Sequence, residues 1–379
     1  MPPSCLFSSF WQGGFESATH RNGHGERVDM VAATQHDLQA EEDYARLREL
    51  GIRVAREGIR WHLIDQGDHY DFSSLAPLAA AAERQGMQII WTLCHYGWPD
   101  DLDIFSSAFV ARFARYCAAT ARFIARHSDR SPFYAPFNEI SFLAFAAGQV
   151  GVFHPYARHR GDEIKAQCVR AAIAGIDAIR EIAPRARIVH IDPVINVVAP
   201  SDRPDLEPLA AAHTESQFAA WDWLSGRSRP DLGGHPRYLD IIGVNFYNNS
   251  QWEYPEGRLR WEASPRDPRW VPFHRLLART YARYRRPMFL AETSHVEARR
   301  GDWVREIATE VALARAYGVP MEGICLYPII DRPDWDDPDR WHQSGLWDVT
   351  PDADGRLHRL LAADYAIALE EARHLLALR

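Results

Sequence analysis

Residues 82–96 read AERQGMQIIWTLCHY and contain a complete passage from helix to strand to polar loop. The residues before Gly86 are good helix formers, and a glycine is typical of the left-handed position that follows a helix. The apolar run at residues 87–93 is typical of a buried strand, and the polar residue His95 comes soon after it. A helix, a short turn and a buried strand in this order predict one unit of a parallel α/β sheet.

The same order of helix, turn and strand recurs along the whole chain, with Gly51 and Gly318 at the same point as Gly86. We predict strands at the apolar runs of residues 5–11, 52–55, 87–93, 133–137, 188–191, 239–244, 287–291 and 321–326. We predict helices at residues 37–50, 74–85, 107–127, 162–182, 214–224, 272–284, 302–317 and 357–378. Eight strands that alternate with eight helices predict an α/β fold, a single (β/α)₈ TIM barrel over residues 1–379. A doubly wound open sheet is the alternative, but no Gly-rich phosphate-binding loop follows the first strand.

Composition and charge exclude several classes of function. The net charge of −8 is spread along the chain, which argues against a nucleic-acid-binding surface. No apolar run approaches the roughly 20 residues of a membrane span, and no secretory signal opens the chain, so we expect a cytoplasmic protein. The five cysteines are far apart, form no C-x-x-C pair and are expected to be buried free thiols: Cys5, Cys94, Cys117, Cys168 and Cys325.

The connections after the predicted strands are long, whereas those before them are short. Long polar or aromatic loops lie at residues 12–36, 95–105, 193–213, 246–270 and 327–356. In (β/α)₈ barrels the functional site is built from the loops at the carboxyl ends of the strands. The polar residues at these strand ends are Arg56, His95, Asn138, Glu139, Asn245, Tyr247, Glu292 and Asp331, of which we expect Asp331 to brace its loop.

Two of these residues, Glu139 and Glu292, each follow an apolar run directly, in FYAPFNE and PMFLAE. Burial of a carboxylate is costly unless it serves a purpose. Cleavage of a glycosidic bond needs such a pair, because an acid must protonate the leaving oxygen while a carboxylate attacks the anomeric carbon or activates water. On strands four and seven of a barrel the two would face each other across the mouth, with Arg56 near enough to hold one of them ionised.

Six segments resemble glycoside hydrolase family 1 and, more broadly, the clan A barrels, which include β-glucosidases. They are GIRVAREGIRW (51–61), IIWTLCHYGWP (89–99), PFNEI (136–140), DIIGVNFY (240–247), FLAETS (289–294) and ICLYPIIDRPDW (324–335). The resemblance implies that Glu139 is the catalytic acid/base and Glu292 the catalytic nucleophile. It also implies that the substrate is bound by Arg56, His95, Asn138, Asn245, Tyr247, Asp334 and Trp335.

The departures from the family pattern lie where the sugar would be recognised. The family's first-strand Gln-x-Glu-Gly segment is replaced by WQGGFESATHR, in which Gln12 or Glu16 is the candidate substitute, and we select Glu16. Tyr327 replaces the tryptophan of the eighth strand, and Asp334 is shorter than the family's glutamate. No Lys/Ser cluster that would bind a 6-phosphate follows the eighth strand, which argues against a phosphoglycoside.

These features predict a retaining β-glycosidase, similar to β-glucosidases and β-galactosidases, that acts through a covalent glycosyl-enzyme. The alternatives are a transglycosidase on the same site and a catalytically silent carbohydrate-binding barrel. A metal-dependent hydrolase is disfavoured, because no H-x-H strand occurs and His20 and His24 lie in a Gly-rich loop. We expect no cofactor and no metal, a small carbohydrate or glycoside as the partner, no binding to nucleic acid or membrane, and an oligomer as an open possibility.

Overall fold

Eight parallel strands close into a barrel in the computed structural model, which describes residues 6–377. The strands, numbered β1 to β8, are Trp11–Gly14, Val54–Gly58, Gln88–Thr92, Phe133–Ala135, Arg187–Pro193, Ile241–Asn245, Met288–Thr293 and Met321–Leu326. Each strand pairs with the strands before and after it, and β8 closes the ring on β1, where Ile324 lies opposite Trp11. The predicted (β/α)₈ barrel is confirmed.

Helices lie between the strands, as the sequence predicts. The longer ones are His36–Glu49, Ala76–Arg84, Ser107–Ala125, Gly161–Ile182, Glu207–Ser216, Ala219–Ser225, Phe273–Tyr284, Arg300–Ala316 and Ala363–Ala377. Short helical turns are Met30–Ala33, Trp61–Ile64, Ile140–Leu143, Ala144–Gln149, Pro204–Leu206, Pro230–Leu232, Pro236–Tyr238 and Glu297–Arg299. Gly86 has the left-handed φ of 62° that its position after a helix predicts. None of the helices described is long and apolar enough to cross a lipid bilayer.

The first strand lies later in the chain than the predicted run at residues 5–11. It is formed by Trp11–Gly14, and Cys5 lies outside the described residues. The apolar residue Phe7 instead packs inside the lumen of the barrel, with its ring 5.3 Å from that of Phe133 and 5.1 Å from that of Phe289. The strand is hard to see in the sequence because it contains two glycines; a Cβ on Gly14 would meet the Tyr327 ring at 2.2 Å.

The predicted helix at residues 357–378 is wrong in its first part. Leu357–Leu361 is a strand, antiparallel to Trp347–Pro351, and the helix is Ala363–Ala377. Leu357 and Arg359 are buried while His358 and Leu360 are exposed, the period of two that a half-buried strand shows. Leu378 lies outside the described residues. A second small sheet, Asn196–Val198, Gln251–Glu253 and Gly257–Arg258, joins the loops after β5 and β6.

The lumen of the barrel is filled by apolar side chains, so the polar residues at the strand ends lie above a closed floor. The apolar side chains that fill the lumen include Phe7, Val54, Ile90, Phe133, Val189, Ile191, Ile241, Phe289 and Ala291. Four cysteines are buried free thiols, as predicted: Cys94, Cys117, Cys168 and Cys325. The fifth, Cys5, is not among the residues described.

A buried ionic group, here called the hairpin cluster, ties the strand Leu357–Leu361 to the outside of the barrel. It consists of His36, Asp43, Tyr44, Glu57 and Arg359. The ring of His36 lies between two carboxylates, 2.9 Å from Asp43 and 3.0 Å from Glu57. Arg359 donates to both oxygens of Asp43 at 3.0 Å, and the Tyr44 hydroxyl donates to Glu57 at 2.8 Å. No part of these side chains is exposed to solvent.

Candidate active site

Arg56 and Glu292 form a buried ion pair at the mouth of the barrel. The guanidinium of Arg56, in the middle of β2, donates to Oε1 of Glu292, near the end of β7, at 2.5 Å. The Tyr247 hydroxyl donates to the other oxygen of Glu292 at 2.8 Å. Burial opposes the charge on Arg56, but the charge and hydrogen bond of Glu292, together with the neighbouring Tyr327, outweigh it and raise the pKa of Arg56. Both oxygens of Glu292 thus receive hydrogen bonds, which stabilise it as a carboxylate.

Glu292 reaches the mouth because β7 is irregular at its end. Phe289 and Ala291 face the lumen, so regular alternation would turn Glu292 outward, towards the helices. The pairing of β7 with β6 shifts register between Leu290 and Glu292. Thr293 takes the outward position, where its hydroxyl donates to the Phe246 carbonyl. Such bulges commonly re-aim a side chain next to a functional site.

Glu139 follows β4 and occupies a different environment from Glu292. Its backbone has a left-handed φ of 40°, which is strained for a residue with a side chain. Its carboxyl group accepts hydrogen bonds from the Tyr96 hydroxyl and, at 2.8 Å, from the Asn245 amide. Burial and the negative charge of Glu292 raise the pKa of Glu139. The group is therefore suited to carry a proton near neutral pH.

Asn138 links the two glutamates to His95. Its side-chain oxygen accepts from Arg56 at 2.5 Å, which fixes the orientation of the amide. Its amide nitrogen then donates to the Tyr96 hydroxyl at 2.8 Å and to Nε2 of His95 at 3.0 Å. Burial and the charge of Arg56 lower the pKa of His95 well below its usual range, so the ring is neutral. Since Nε2 accepts, the ring hydrogen lies on Nδ1 and faces Ser17, 2.9 Å away.

We call these contacting residues the mouth network: Arg56, His95, Tyr96, Asn138, Glu139, Asn245, Tyr247 and Glu292. The structure brings together in it seven residues selected from the sequence. Tyr96 was missed, although it follows His95 directly in the loop after β3, where polar side chains converge.

Glu16 lies beside the mouth network, in the loop that follows β1. It is buried, with one oxygen accepting from the Ala18 amide at 3.1 Å and the other 3.5 Å from Arg332. Burial, partly offset by the charge of Arg332, raises the pKa of Glu16, and the charge of Glu292 acts in the same direction. Gln12 lies within β1 itself, fully buried next to Gly323. Arg332 was not selected from the sequence.

Trp335 and Asp334, in the loop after β8, are placed differently from each other. The Trp335 ring is half-buried, 6.0 Å from that of Tyr96 and 4.8 Å from that of His20. Trp335 therefore borders the mouth network through Tyr96. Asp334 pairs instead with His342 at 3.0 Å and accepts from the Asp336 amide at 2.9 Å.

His20 packs among aromatic rings, and burial lowers its pKa to about 3. Among residues 6–377 no group of three or more His, Cys, Asp or Glu side chains could hold a metal ion.

Asp331 accepts from the amide and hydroxyl of Ser344 and so braces its loop, as predicted.

Asp192 was also missed, although the sequence contains the signal that revealed the two glutamates. In RIVHIDP the carboxylate follows an apolar run directly, at the end of β5. Its hydrogen bonds go to Ser141, in the segment that carries Glu139.

The chain is thus a closed (β/α)₈ barrel with two carboxyl groups, those of Glu139 and Glu292, at its mouth. A β-glucosidase from Thermotoga maritima in complex with glucoimidazole superimposes with a TM-score of 0.77 at 14% identity, over 99% of each chain. A family 1 β-glucosidase of the same organism superimposes with a TM-score of 0.77 at 15% identity, over 97% of each chain. The AHE enzyme from Alicyclobacillus herbarius superimposes with a TM-score of 0.74 at 18% identity, over 96% of this chain and 98% of that one.

The chain thus has the fold of the family 1 β-glucosidases, as its sequence motifs predict. No protein-family model and no curated protein sequence matches it.

Proposed function

We propose that the chain is a retaining β-glycosidase, with Glu292 as the nucleophile and Glu139 as the acid/base. The observation that carries this proposal is the difference between the two carboxyl groups. Glu292 is bound by a guanidinium and a phenol, which favour the carboxylate. Glu139 accepts from neutral donors only, and burial and a neighbouring negative charge raise its pKa. Two carboxyl groups held in opposite protonation states are what glycoside cleavage requires.

The reaction proceeds in two displacements. In the first, a Glu292 oxygen forms a bond to the anomeric carbon, the bond to the leaving oxygen breaks, and the proton of Glu139 passes to that oxygen. Esterification removes the charge of Glu292, so the pKa of Glu139 falls and it becomes a base. In the second, Glu139 takes a proton from water, the water oxygen bonds to the anomeric carbon, and Glu292 leaves. Glu139 is protonated again, and the configuration of the sugar is retained.

The other residues of the site would bind and orient the sugar. Asn138 and the neutral His95 would bind the sugar hydroxyls by exchanging the hydrogen bond that now joins them, while Arg56 and Tyr247 hold the nucleophile. Asn245 holds the acid/base. Glu16, Trp335 and Asp334 are proposed to bind the far side of the sugar, a β-glucoside or β-galactoside. We also propose that the whole chain acts as one barrel domain in the cytoplasm.

The test is Glu292→Gly, assayed with p-nitrophenyl β-glycosides and added azide. Turnover should fall by at least roughly 10⁴-fold and recover in part with azide, which replaces the missing nucleophile and yields a glycosyl azide. Glu49→Gly, an exposed glutamate in the last turn of a helix, is the matched control and should retain activity. Full activity of the Glu292 variant would overturn the assignment.

The stereochemistry tests retention separately. Proton NMR of the first-formed sugar should show the β-anomer, whereas the α-anomer would mean inversion. If the wild-type protein binds sugars but cleaves none of the aryl glycosides, the silent carbohydrate-binding barrel replaces this proposal. If added alcohol captures most of the glycosyl units, the enzyme is a transglycosidase.

A further inference from the structure

Asp192 is a buried carboxylate that the proposed reaction does not use. It lies at the end of β5, next to Ile191, whose side chain belongs to the lumen. Because side chains of a strand alternate, Asp192 faces outward, into the layer between the barrel and the helix Gly161–Ile182. It is 1% exposed. A carboxylate buried in this layer requires polar partners.

Those partners lie in the segment that carries Glu139. The Ser141 amide donates to one oxygen of Asp192 at 3.0 Å, and the Ser141 hydroxyl donates to the other at 3.0 Å. The Glu139 amide donates to the Ile191 carbonyl at 3.0 Å. The end of β5 thus holds the segment at two points, on the backbone at Glu139 and on the side chain of Asp192. This anchoring matters because the left-handed backbone of Glu139 costs about 1–3 kcal/mol unless the surroundings fix it.

The charge of Asp192 is only partly balanced. Within the part of the chain that the structure describes, no Arg, Lys or His nitrogen lies within 4 Å of its oxygens. Lys165, the only lysine of the chain, acts on it from a greater distance and is itself 9% exposed. Burial raises the pKa of Asp192 to about 7, against the hydrogen bonds of Ser141 and the charge of Lys165. Its negative charge in turn favours the protonated form of Glu139.

We propose that Asp192 is a positioning residue for Glu139, which it holds through Ser141 and keeps protonated through its own charge. This role rests on the proposed function of Glu139. The position of the Asp192 carboxylate and its hydrogen bonds to Ser141 do not depend on that function. The groups that act on Glu139 are Glu292 on β7, Tyr96 after β3 and Asn245 on β6, together with Asp192 on β5, which acts through its charge alone. Asp192 itself faces Ser141, Lys165 and the thiol of Cys168. Asp192 lies outside the lumen, on the outward face of β5. It can therefore be substituted without removing a group that contacts the substrate.

Asp192→Asn separates charge from geometry. The amide has the shape of the carboxylate and can accept from the Ser141 amide while its nitrogen donates to the Ser141 hydroxyl. Loss of the charge should lower the pKa of Glu139 and move the basic limb of the kcat/KM profile down by roughly 0.5 to 1 pH unit. Turnover near neutral pH should fall more for a glycoside with a poor leaving group than for a 2,4-dinitrophenyl glycoside. Ser141→Ala should lower turnover of the former substrate without this shift of the limb.

A second readout does not depend on activity. The carboxyl carbon of Glu139 is followed by ¹³C NMR in protein labelled at glutamate, with the signal assigned by its loss in Glu139→Gln. The midpoint of its titration should move to lower pH in Asp192→Asn. The matched control is Asp240→Asn, which removes a carboxylate that binds Arg187 and the Ile188 amide at the opposite end of β5. That variant should leave the midpoint in place.

An unchanged Glu139 midpoint in Asp192→Asn would overturn the positioning role, whatever the activity. A shifted midpoint in a protein that hydrolyses no glycoside would uphold the coupling between the two carboxyl groups and refute the glycosidase function alone. A shift of equal size in Asp240→Asn would show a general effect of destabilisation and would also overturn the role.

Discussion

Arg56 and Glu57 are consecutive residues of β2 but belong to two different buried ionic networks. Arg56 faces the mouth, where it pairs with Glu292. Glu57 faces outward, where it pairs with His36 in the hairpin cluster. Most side chains of both networks are buried, with Glu139 and Tyr247 half-buried, and both networks contain residues with shifted pKa values. Burial and a shifted pKa therefore do not by themselves distinguish a reactive site from a structural one.

The balance of charge does distinguish the two networks. In the hairpin cluster two carboxylates, Asp43 and Glu57, are matched by two buried cations, Arg359 and the protonated His36, and Asp43 also pairs with the half-buried Arg46 at 3.0 Å. In the mouth network two glutamates share a single cation, Arg56. One carboxyl group of the mouth must stay protonated for the charges to balance, whereas every group of the hairpin cluster can stay charged. An excess of one carboxyl group is what makes the mouth suited to proton transfer.

The largest effect is expected from Glu139→Gln, which removes the excess carboxyl group. Turnover of a glycoside with a poor leaving group should fall by about 10²- to 10⁴-fold, because nothing protonates the leaving oxygen. A 2,4-dinitrophenyl glycoside needs no proton in the first step and should lose far less there, as measured by the burst of dinitrophenolate. The free energy of unfolding should not fall, because a half-buried acid is replaced by an amide of the same shape. Equal losses on both substrates with a lower melting temperature would make Glu139 a structural residue.

Asp43→Asn should have the opposite effects, a loss of stability with little change in turnover. It leaves Arg359 and His36 without their shared carboxylate in a dry interior, so the free energy of unfolding in urea should fall by about 3–5 kcal/mol. Turnover per folded molecule should change little, because the cluster does not touch the mouth. Glu42→Gln, which removes the partner of Arg356 at the surface nearby, is the control and should leave stability unchanged. A loss of turnover without a loss of stability in Asp43→Asn would contradict the comparison.

The smallest effect is a dependence of stability on pH. Burial disfavours a charged His36, but the carboxylates of Glu57 and Asp43 outweigh it and raise the pKa of His36 from 6.5 to about 9. The protonated ring therefore stabilises the folded state fully below about pH 6.5, and this contribution, at most about 3 kcal/mol, is lost as the pH rises through 9. Urea unfolding at about pH 6, 8 and 10 measures it. His36→Gln should lack this slope, and a slope equal to that of the wild type would refute the assignment.

The sequence predicts most of the fold because each unit of the barrel has its own local signals. Met321–Leu326 is an apolar run bounded by a glycine-ended helix and a polar loop, and it forms β8 with the predicted bounds. The strand Leu357–Leu361 is missed because leucine and arginine also favour helices. Only its pairing with Trp347–Pro351, which lies beyond the reach of local pattern, makes it a strand.

The candidate site is predicted only in part, because only some of its residues carry a local signal in the sequence. Carboxylates that come straight after an apolar run of the sequence, such as Glu139 and Glu292, can be recognised from the sequence alone. Arg332 is missed because it lies within a long loop, and no periodicity indicates that it comes within 3.5 Å of Glu16. The bulge that turns Glu292 inward is also invisible in the sequence, since strict alternation would have placed it outside the barrel.

The adjacency of Arg56 and Glu57 also bears on how the chain folds. A slip of β2 by one residue against β1 and β3 would exchange its inner and outer faces. The apolar residues Val54 and Ala55 could both be buried in either register. The charged side chains could not be buried in the slipped register, because Arg56 would lose its ion pair with Glu292 and Glu57 its ion pair with His36. That loss would cost several kcal/mol. The two opposite charges therefore select the correct pairing of this strand.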